Sequence, residues 1–197
     1  MNIGGLALRP TGNKLRGMQV ALFAVQSLDG YITRRQTAGD AFASEADRVH
    51  FREAIRACDA CVMGGTTYDL SKTRMRPEAF PALRRVVWTR NPEARAAERL
   101  PGVLEFTSES PVETAARLRA DGRRRCAVLG GGQVNAAWLE AGLVDELWLT
   151  VESALFGEGT PLAGSHGRPG TERRLLLREA KVLAEGGPVL LRYDVQK

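Results

Sequence analysis

Ala127-Val128-Leu129-Gly130-Gly131-Gly132-Gln133 runs into Val134-Asn135-Ala136-Ala137-Trp138-Leu139-Glu140 and then Ala141-Gly142-Leu143-Val144-Asp145-Glu146-Leu147-Trp148-Leu149-Thr150. An apolar run breaks into three glycines, a short amphipathic segment stops at Gly142, and a second apolar run follows. That order reads as strand, glycine turn, helix, strand. Three bare residues let the backbone approach another surface closely, and the helix after them points free N–H groups and the positive end of its dipole at whatever lies there. Two uses fit such a turn: holding a phosphate, and tight packing of strand on helix. The spacing matches neither the dinucleotide fingerprint nor a Walker loop.

At 197 residues the chain can bury one sizeable core, and it reads as a single domain over residues 18–197 preceded by an N-terminal extension over residues 1–17. Hydrophobic content of 44% and charged content of 26% are those of a soluble globular protein. No apolar run approaches the ~18 residues of a membrane span, and the start lacks a signal-peptide pattern, so a cytoplasmic location is expected. Cys58, Cys61 and Cys126 lie in apolar surroundings without a second Cys pair or a nearby histidine, and read as buried thiols with no metal site. The net charge of +5 is scattered through Arg84-Arg85, Arg123-Arg124-Arg125 and Arg173-Arg174. No continuous basic patch with interleaved aromatics forms, which argues against nucleic acid and suits an anionic small molecule.

Outward from the opening stretch, strand-like and helix-like segments alternate. Met18 to Val25 is a continuous apolar run expected in a central strand covered on both faces. It leads to Ser27-Leu28-Asp29-Gly30-Tyr31-Ile32, where the Asp29 carboxylate has two readings. One is a partly desolvated, raised-pKa group that handles a proton; the other is a carboxylate that holds the glycine turn through backbone bonds. Ser44-Glu45-Ala46-Asp47 reads as a capping box ahead of a helix whose face carries Phe51, Ala54, Ile55 and Cys58, with His50 at its margin. Ala60 to Met63 is a strand ending in a second glycine turn, Gly64-Gly65-Thr66-Thr67, which leads toward a helix start. Residues 74–81 read as loop. Val86 to Thr89 is a strand with Arg90 just past its end, placed to grip a phosphate or simply to face solvent. Ser110-Pro111-Val112-Glu113 supplies a cap, a proline at the first helical position and a glutamate at the third, so a helix is expected from residue 111 to about 120. Single strands at wide spacing favour a parallel sheet joined by helices. Past Thr150 comes the glycine-rich stretch 157–162, then a loop over 165–170 containing His166, then two strands around Glu185-Gly186-Gly187-Pro188, the pattern of a terminal antiparallel hairpin whose long apolar strands invite cover by another subunit.

Taken in order, Ser27-Leu28-Asp29-Gly30-Tyr31-Ile32, Val62-Met63-Gly64-Gly65-Thr66-Thr67-Tyr68, Trp88-Thr89-Arg90, Gly130-Gly131-Gly132, Leu139 to Leu147 and Gly157-Glu158-Gly159-Thr160-Pro161-Leu162 resemble the riboflavin-biosynthesis reductase domain. This is the carboxyl-terminal domain of the bifunctional pyrimidine deaminase/reductase, within the dihydrofolate-reductase-like superfamily. The resemblance covers residues 18–193 and implies a three-layer α/β fold, with a central mostly parallel mixed sheet and helices on both faces. It implies a homodimer and NADPH as cofactor, delivering hydride to a small pterin-like or ribosylamino-pyrimidine-like heterocycle. By likeness Gly64, Thr66 and Thr67 line one side of the cofactor, Gly130, Gly131, Gly132, Gln133 and Val134 hold its pyrophosphate, and Arg90 approaches the 2′-phosphate. Asp29 falls on the substrate side as the catalytic group, with Ser27 and Thr150 nearby. Glu152 joins them as a carboxylate able to accept from ring N–H groups.

Hydride transfer needs no protein nucleophile or metal, and the sequence has no cluster of either kind. Gly65 stands where dihydrofolate-reductase-like members frequently carry an arginine, so the 2′-phosphate reading rests on Arg90. The stretch after Gly30 lacks the polar substrate-phosphate pattern of the riboflavin enzymes, which favours a stand-alone reductase over the dedicated riboflavin enzyme. The alternative is a cofactor-binding regulatory or structural protein that keeps the fold without turnover.

Overall fold

The computed structural model describes residues 17–34, 39–164 and 172–196. The expected extension, apart from Gly17, and the loop with His166 lie outside them. The apolar run after Met18 forms β1 (Gln19–Ser27), flanked by a short β2 (Tyr31–Arg34) and α1 (Glu45–Ile55). Strand and helix then alternate through β3 (Ala60–Gly64), α2 (Gly65–Ser71), β4 (Arg84–Trp88), β5 (Leu104–Thr107), α3 (Pro111–Ala120), β6 (Arg125–Val128), α4 (Gly132–Glu140) and β7 (Glu146–Glu152). A three-residue β8 (Gly159–Pro161) precedes the hairpin of β9 (Leu175–Val182) and β10 (Val189–Val195).

The main sheet has the order β5-β4-β3-β6-β1-β7-β10-β9. Its first six strands run parallel, and β10 and β9 add antiparallel to the β7 edge. Because side chains alternate across a strand, β1 sends Val20 and Leu22 to one face and Ala21 and Phe23 to the other. The first face packs on Ala115 and Leu118 of α3 and on Val134 and Trp138 of α4. The second packs on Ala54 and Ile55 of α1 and on Tyr68 of α2. Burying Val20 or Leu22 completely stabilises the fold by roughly 1.5–3 kcal/mol each. The three cysteines are free and buried, and desolvation pushes the Cys61 thiol up to about 12.

α3 starts where its cap predicts: the Ser110 hydroxyl accepts the Glu113 N–H, and the Glu113 carboxylate accepts the Ser110 N–H. The 74–81 loop is fastened from inside by Arg85. Its guanidinium is 2% exposed and donates to the carbonyls of Met75, Arg76, Phe80 and Leu83. One element is absent from the sequence reading. β2 and β8 pair as a separate antiparallel ribbon, closed by the Thr33 and Thr160 hydroxyls at 2.8 Å. A three-residue Gly-Thr-Pro strand carries no alternation that could announce it.

Candidate functional site

β3 and β6 are neighbours, yet their connections leave in opposite directions. The chain from β3 crosses through α2 to β4, and the chain from β6 crosses through α4 past β1 to β7. Such a divergence opens a crevice at the carboxyl ends of the two strands, and both glycine turns fall on it. They are tied together there, the Gly64 N–H donating to the Gly130 carbonyl at 2.7 Å. Gly130 has φ +85, a left-handed conformation that side-chain-bearing residues rarely adopt, and the Gly130–Gly131 peptide is cis. At Gly132 a Cβ would lie 2.8 Å from the Pro161 carbonyl, so the ribbon strand β8 can close over the start of α4 only on a bare backbone.

Among the described residues the four α-helices begin in two ways. α1 and α3 have serine caps whose hydroxyls accept a first-turn N–H. α2 and α4 start at Gly64 and Gly131 with no side-chain cap. The two starts that lack a cap are the two that open on the crevice, leaving first-turn N–H groups for an external acceptor.

The crevice is the mouth of a cavity of about 1510 Å³. Gly64, Thr66, Thr67, Arg90, Gly130, Gly131, Gly132, Gln133 and Val134 all line it, so the structure brings together every residue expected on the cofactor side. Arg90 is exposed and, among the described residues, makes no ion pair, whereas Arg84, Arg95, Arg99 and Arg117 are all paired with carboxylates. Trp88 and Trp148 also face the cavity.

The other end of the cavity is walled by Phe23, Phe51 and Trp148, with His50 stacked on Trp148 at 5.8 Å between ring centroids. Of the residues expected on the substrate side, Thr150 is in this wall; Ser27, Asp29 and Glu152 are not. Asp29 is engaged as the turn-holding reading describes. Its carboxylate accepts the Ser27 hydroxyl at 2.5 Å, the Gly157 N–H at 2.7 Å and the Phe156 N–H at 3.1 Å. These donors, the Ser27 hydroxyl foremost, lower its pKa, so of the two readings of Asp29 the turn-holding one fits and the raised-pKa one does not. Glu152 is 7% exposed, and its Oε1 accepts the Ser44 N–H at 2.8 Å, so that oxygen is already taken.

Two carboxyl groups do enter the cavity wall, Asp40 and Asp47, and of these Asp47 is the buried one. It is 8% exposed, and burial pushes its pKa up to about 6, with a hydrogen bond from Thr150 opposing and the Glu152 and Asp40 charges reinforcing the rise. The capping box expected at Ser44 forms only in half: the Ser44 hydroxyl accepts the Asp47 N–H at 3.2 Å, but the Asp47 carboxylate does not return the bond. The signal that finds Asp47 is periodicity. It lies four residues before Phe51 and seven before Ala54, on the apolar stripe of its helix, where a carboxylate is buried.

A family model described as the RibD C-terminal domain matches residues 18–191. An uncharacterized protein of Bacillus subtilis, YyaP, is 21% identical over 156 residues, covering 76% of this chain and 82% of its own. A crystal structure of a pyrimidine reductase-like protein from Corynebacterium diphtheriae superposes with a TM-score of 0.70 at 19% identity, covering 91% of this chain and 92% of that one. Dihydrofolate reductase from Enterococcus faecalis, complexed with NADP(H) and RAB-propyl, superposes with a TM-score of 0.62 at 20% identity, covering 92% and 98%. The fold is therefore dihydrofolate-reductase-like.

Proposed function

The chain belongs to the RibD C-terminal domain family, and from that membership we propose that it is an NADPH-dependent reductase of a small nitrogen heterocycle, pterin-like or ribosylamino-pyrimidine-like. The observation that carries this reading is the convergence of two uncapped, glycine-started helices on one cavity that also holds a buried carboxyl. Bare glycine turns and unpartnered N–H groups fit a pyrophosphate. In this reading Gly130 to Val134 hold the pyrophosphate, Gly64, Thr66 and Thr67 line the opposite wall, and the unpaired Arg90 grips the 2′-phosphate. The Enterococcus relative with the same fold was solved with NADP(H), which supports the choice of cofactor.

When bound, the cofactor supplies hydride; the chain supplies position, exclusion of water and one proton. Phe23, Phe51 and Trp148, packed on one another, offer one apolar wall to a flat ring and keep water off that side. Asp47, with a pKa of about 6, carries a proton on a fraction of molecules near neutrality, and Thr150 orients the carboxyl toward a ring nitrogen. Asp29 is assigned to holding its own turn and the 156–157 backbone, with Ser27 as a donor. Among the described residues no helix is long and apolar enough to cross a membrane, in keeping with a cytoplasmic enzyme. Titration with NADPH, followed by quenching of Trp88 and Trp148 fluorescence, tests the cofactor assignment. Saturable quenching that NADH reproduces only at higher concentration is expected, and no response to either nucleotide at millimolar concentration would sink the assignment. Oxidation of NADPH with pteridine or ribosylamino-pyrimidine substrates then separates an enzyme from a protein that only binds the cofactor.

A further inference from the structure

We propose that Glu152 is a positioning residue that holds the first turn of α1 so that Asp47 turns into the cavity, a proposal that rests on the reading of Asp47 as the proton-handling group. In an ordinary capping box the third helical residue uses its carboxylate to satisfy the N–H of the cap residue. α3 shows that arrangement: Glu113 accepts the Ser110 N–H at 2.8 Å, and its carboxylate is consumed at the helix end. α1 has the same opening, with Ser44 as cap and Asp47 in the place of Glu113. Here the Ser44 N–H is taken at 2.8 Å by Glu152, from a strand 108 residues further along the chain. With that donor satisfied, the Asp47 carboxylate is released from the helix end and lines the cavity with Thr150.

Two bonds tie the start of α1 to β7: Glu152 holds the Ser44 backbone at 2.8 Å, and the Ser44 hydroxyl holds the Asp47 N–H at 3.2 Å. Thr150 and Glu152 are two residues apart on β7 and project from the same face of the sheet, and Thr150 lines the cavity with Asp47. Asp47 is thus attached to β7 through its backbone. Glu152 is outside the cavity wall and touches no ligand position, so its effect passes through Asp47. The charged groups facing Asp47 are Glu152 from β7 and Asp40 from the loop before α1, which favour the protonated acid, and Arg48 from its own helix, which opposes them.

Carboxyl-carbon NMR of Asp47 and amide hydrogen exchange at Ser44, in the full chain without cofactor or substrate, test the proposal. In the unaltered protein the Asp47 carboxyl titrates near pH 6 and the Ser44 amide is protected. Glu152→Gln keeps an oxygen for the Ser44 N–H and removes the charge. Protection at Ser44 stays, and the Asp47 midpoint falls by roughly half a pH unit or more. Glu152→Ala removes the acceptor as well, and Ser44 exchange accelerates roughly tenfold. Both variants remove the charge and only Glu152→Ala removes the acceptor, so the difference between them reads the hold on Ser44: Ser44 protection and an Asp47 midpoint that are the same in the two variants overturn the proposal. If Glu152→Ala does not fold, Glu152→Met, which fills the space without an acceptor for the Ser44 N–H, takes its place. The outcome is independent of whether NADPH binds, so failure of the reductase reading and failure of this one are told apart.

Discussion

Asp47 and Thr150 share the cavity wall, and burial holds the Asp47 carboxyl partly neutral, which sets its pH behaviour. Its folded-state pKa, about 6, lies above the 3.8 of a free aspartate side chain. Folding therefore favours the protonated form. Its contribution to stability is whole below pH ~4 and is lost as pH rises through about 6. Asp47→Asn stays neutral at every pH, so it should match the parent in acid and exceed it above pH 6. The gap corresponds to at most roughly 3 kcal/mol at about 1.4 kcal/mol per pH unit, and roughly 1–3 kcal/mol is expected after allowance for relaxation. Denaturation at pH 4 and pH 8 checks the sign. The same variant should lower turnover by roughly 100-fold or more without changing NADPH affinity, since general acid–base groups contribute about that much.

Arg90 differs from Arg84, Arg95, Arg99 and Arg117 in having, among the described residues, no carboxylate to neutralise it. Arg90→Ala should weaken NADPH by roughly tenfold or more, the value of a charge-assisted bond, and leave NADH nearly unchanged. Equal losses for the two nucleotides would move the 2′-phosphate to another residue.

Arg85 is a buried cation whose partners are four backbone carbonyls of a single loop. Arg85→Ala leaves those acceptors unpaired and opens a void, and a loss of roughly 3–5 kcal/mol is expected in urea denaturation. Arg85→Lys retains the charge but not the fork, and should recover only part of that loss.

How much of this was legible in the sequence follows from which interactions are local. α3 could be read to the residue because Ser110, Pro111 and Glu113 act within one turn. Both glycine turns could be placed at the crevice because each sits at the carboxyl end of an apolar run. Ser44 and Asp47 look like the same local device as Ser110 and Glu113, and there local reasoning fails. A residue 108 positions away satisfies Ser44 and changes what Asp47 is free to do. Glu152 is legible as a carboxylate at a strand end and Asp29 as one beside a turn glycine, but spacing alone does not show that backbone N–H groups occupy them first. The β2–β8 ribbon was hidden for the same reason: its partners are 127 residues apart and carry no periodic pattern.

The hairpin offers the remaining test, of association. Register places Leu175 beside Val195, Leu177 beside Tyr193, Ala180 beside Leu191 and Val182 beside Val189 on one face of the sheet. The charged pair Arg192–Glu179 lies on the other. The apolar face continues outward from Leu147 and Leu149, which belong to the core under α3 and α4, but at β9 it is open: Leu175 is 42% exposed, Leu177 48% and Val182 62%. A face without charge does not repel its own copy, and two copies related by a twofold axis could bury these side chains at roughly 1.5–3 kcal/mol for each leucine fully covered. The unaltered protein should therefore sediment as a dimer at micromolar concentration, and Leu177→Lys should shift it to monomer while leaving the fold intact by circular dichroism. A wild-type monomer at that concentration, or a Leu177→Lys dimer of unchanged affinity, would place the contact elsewhere or remove it.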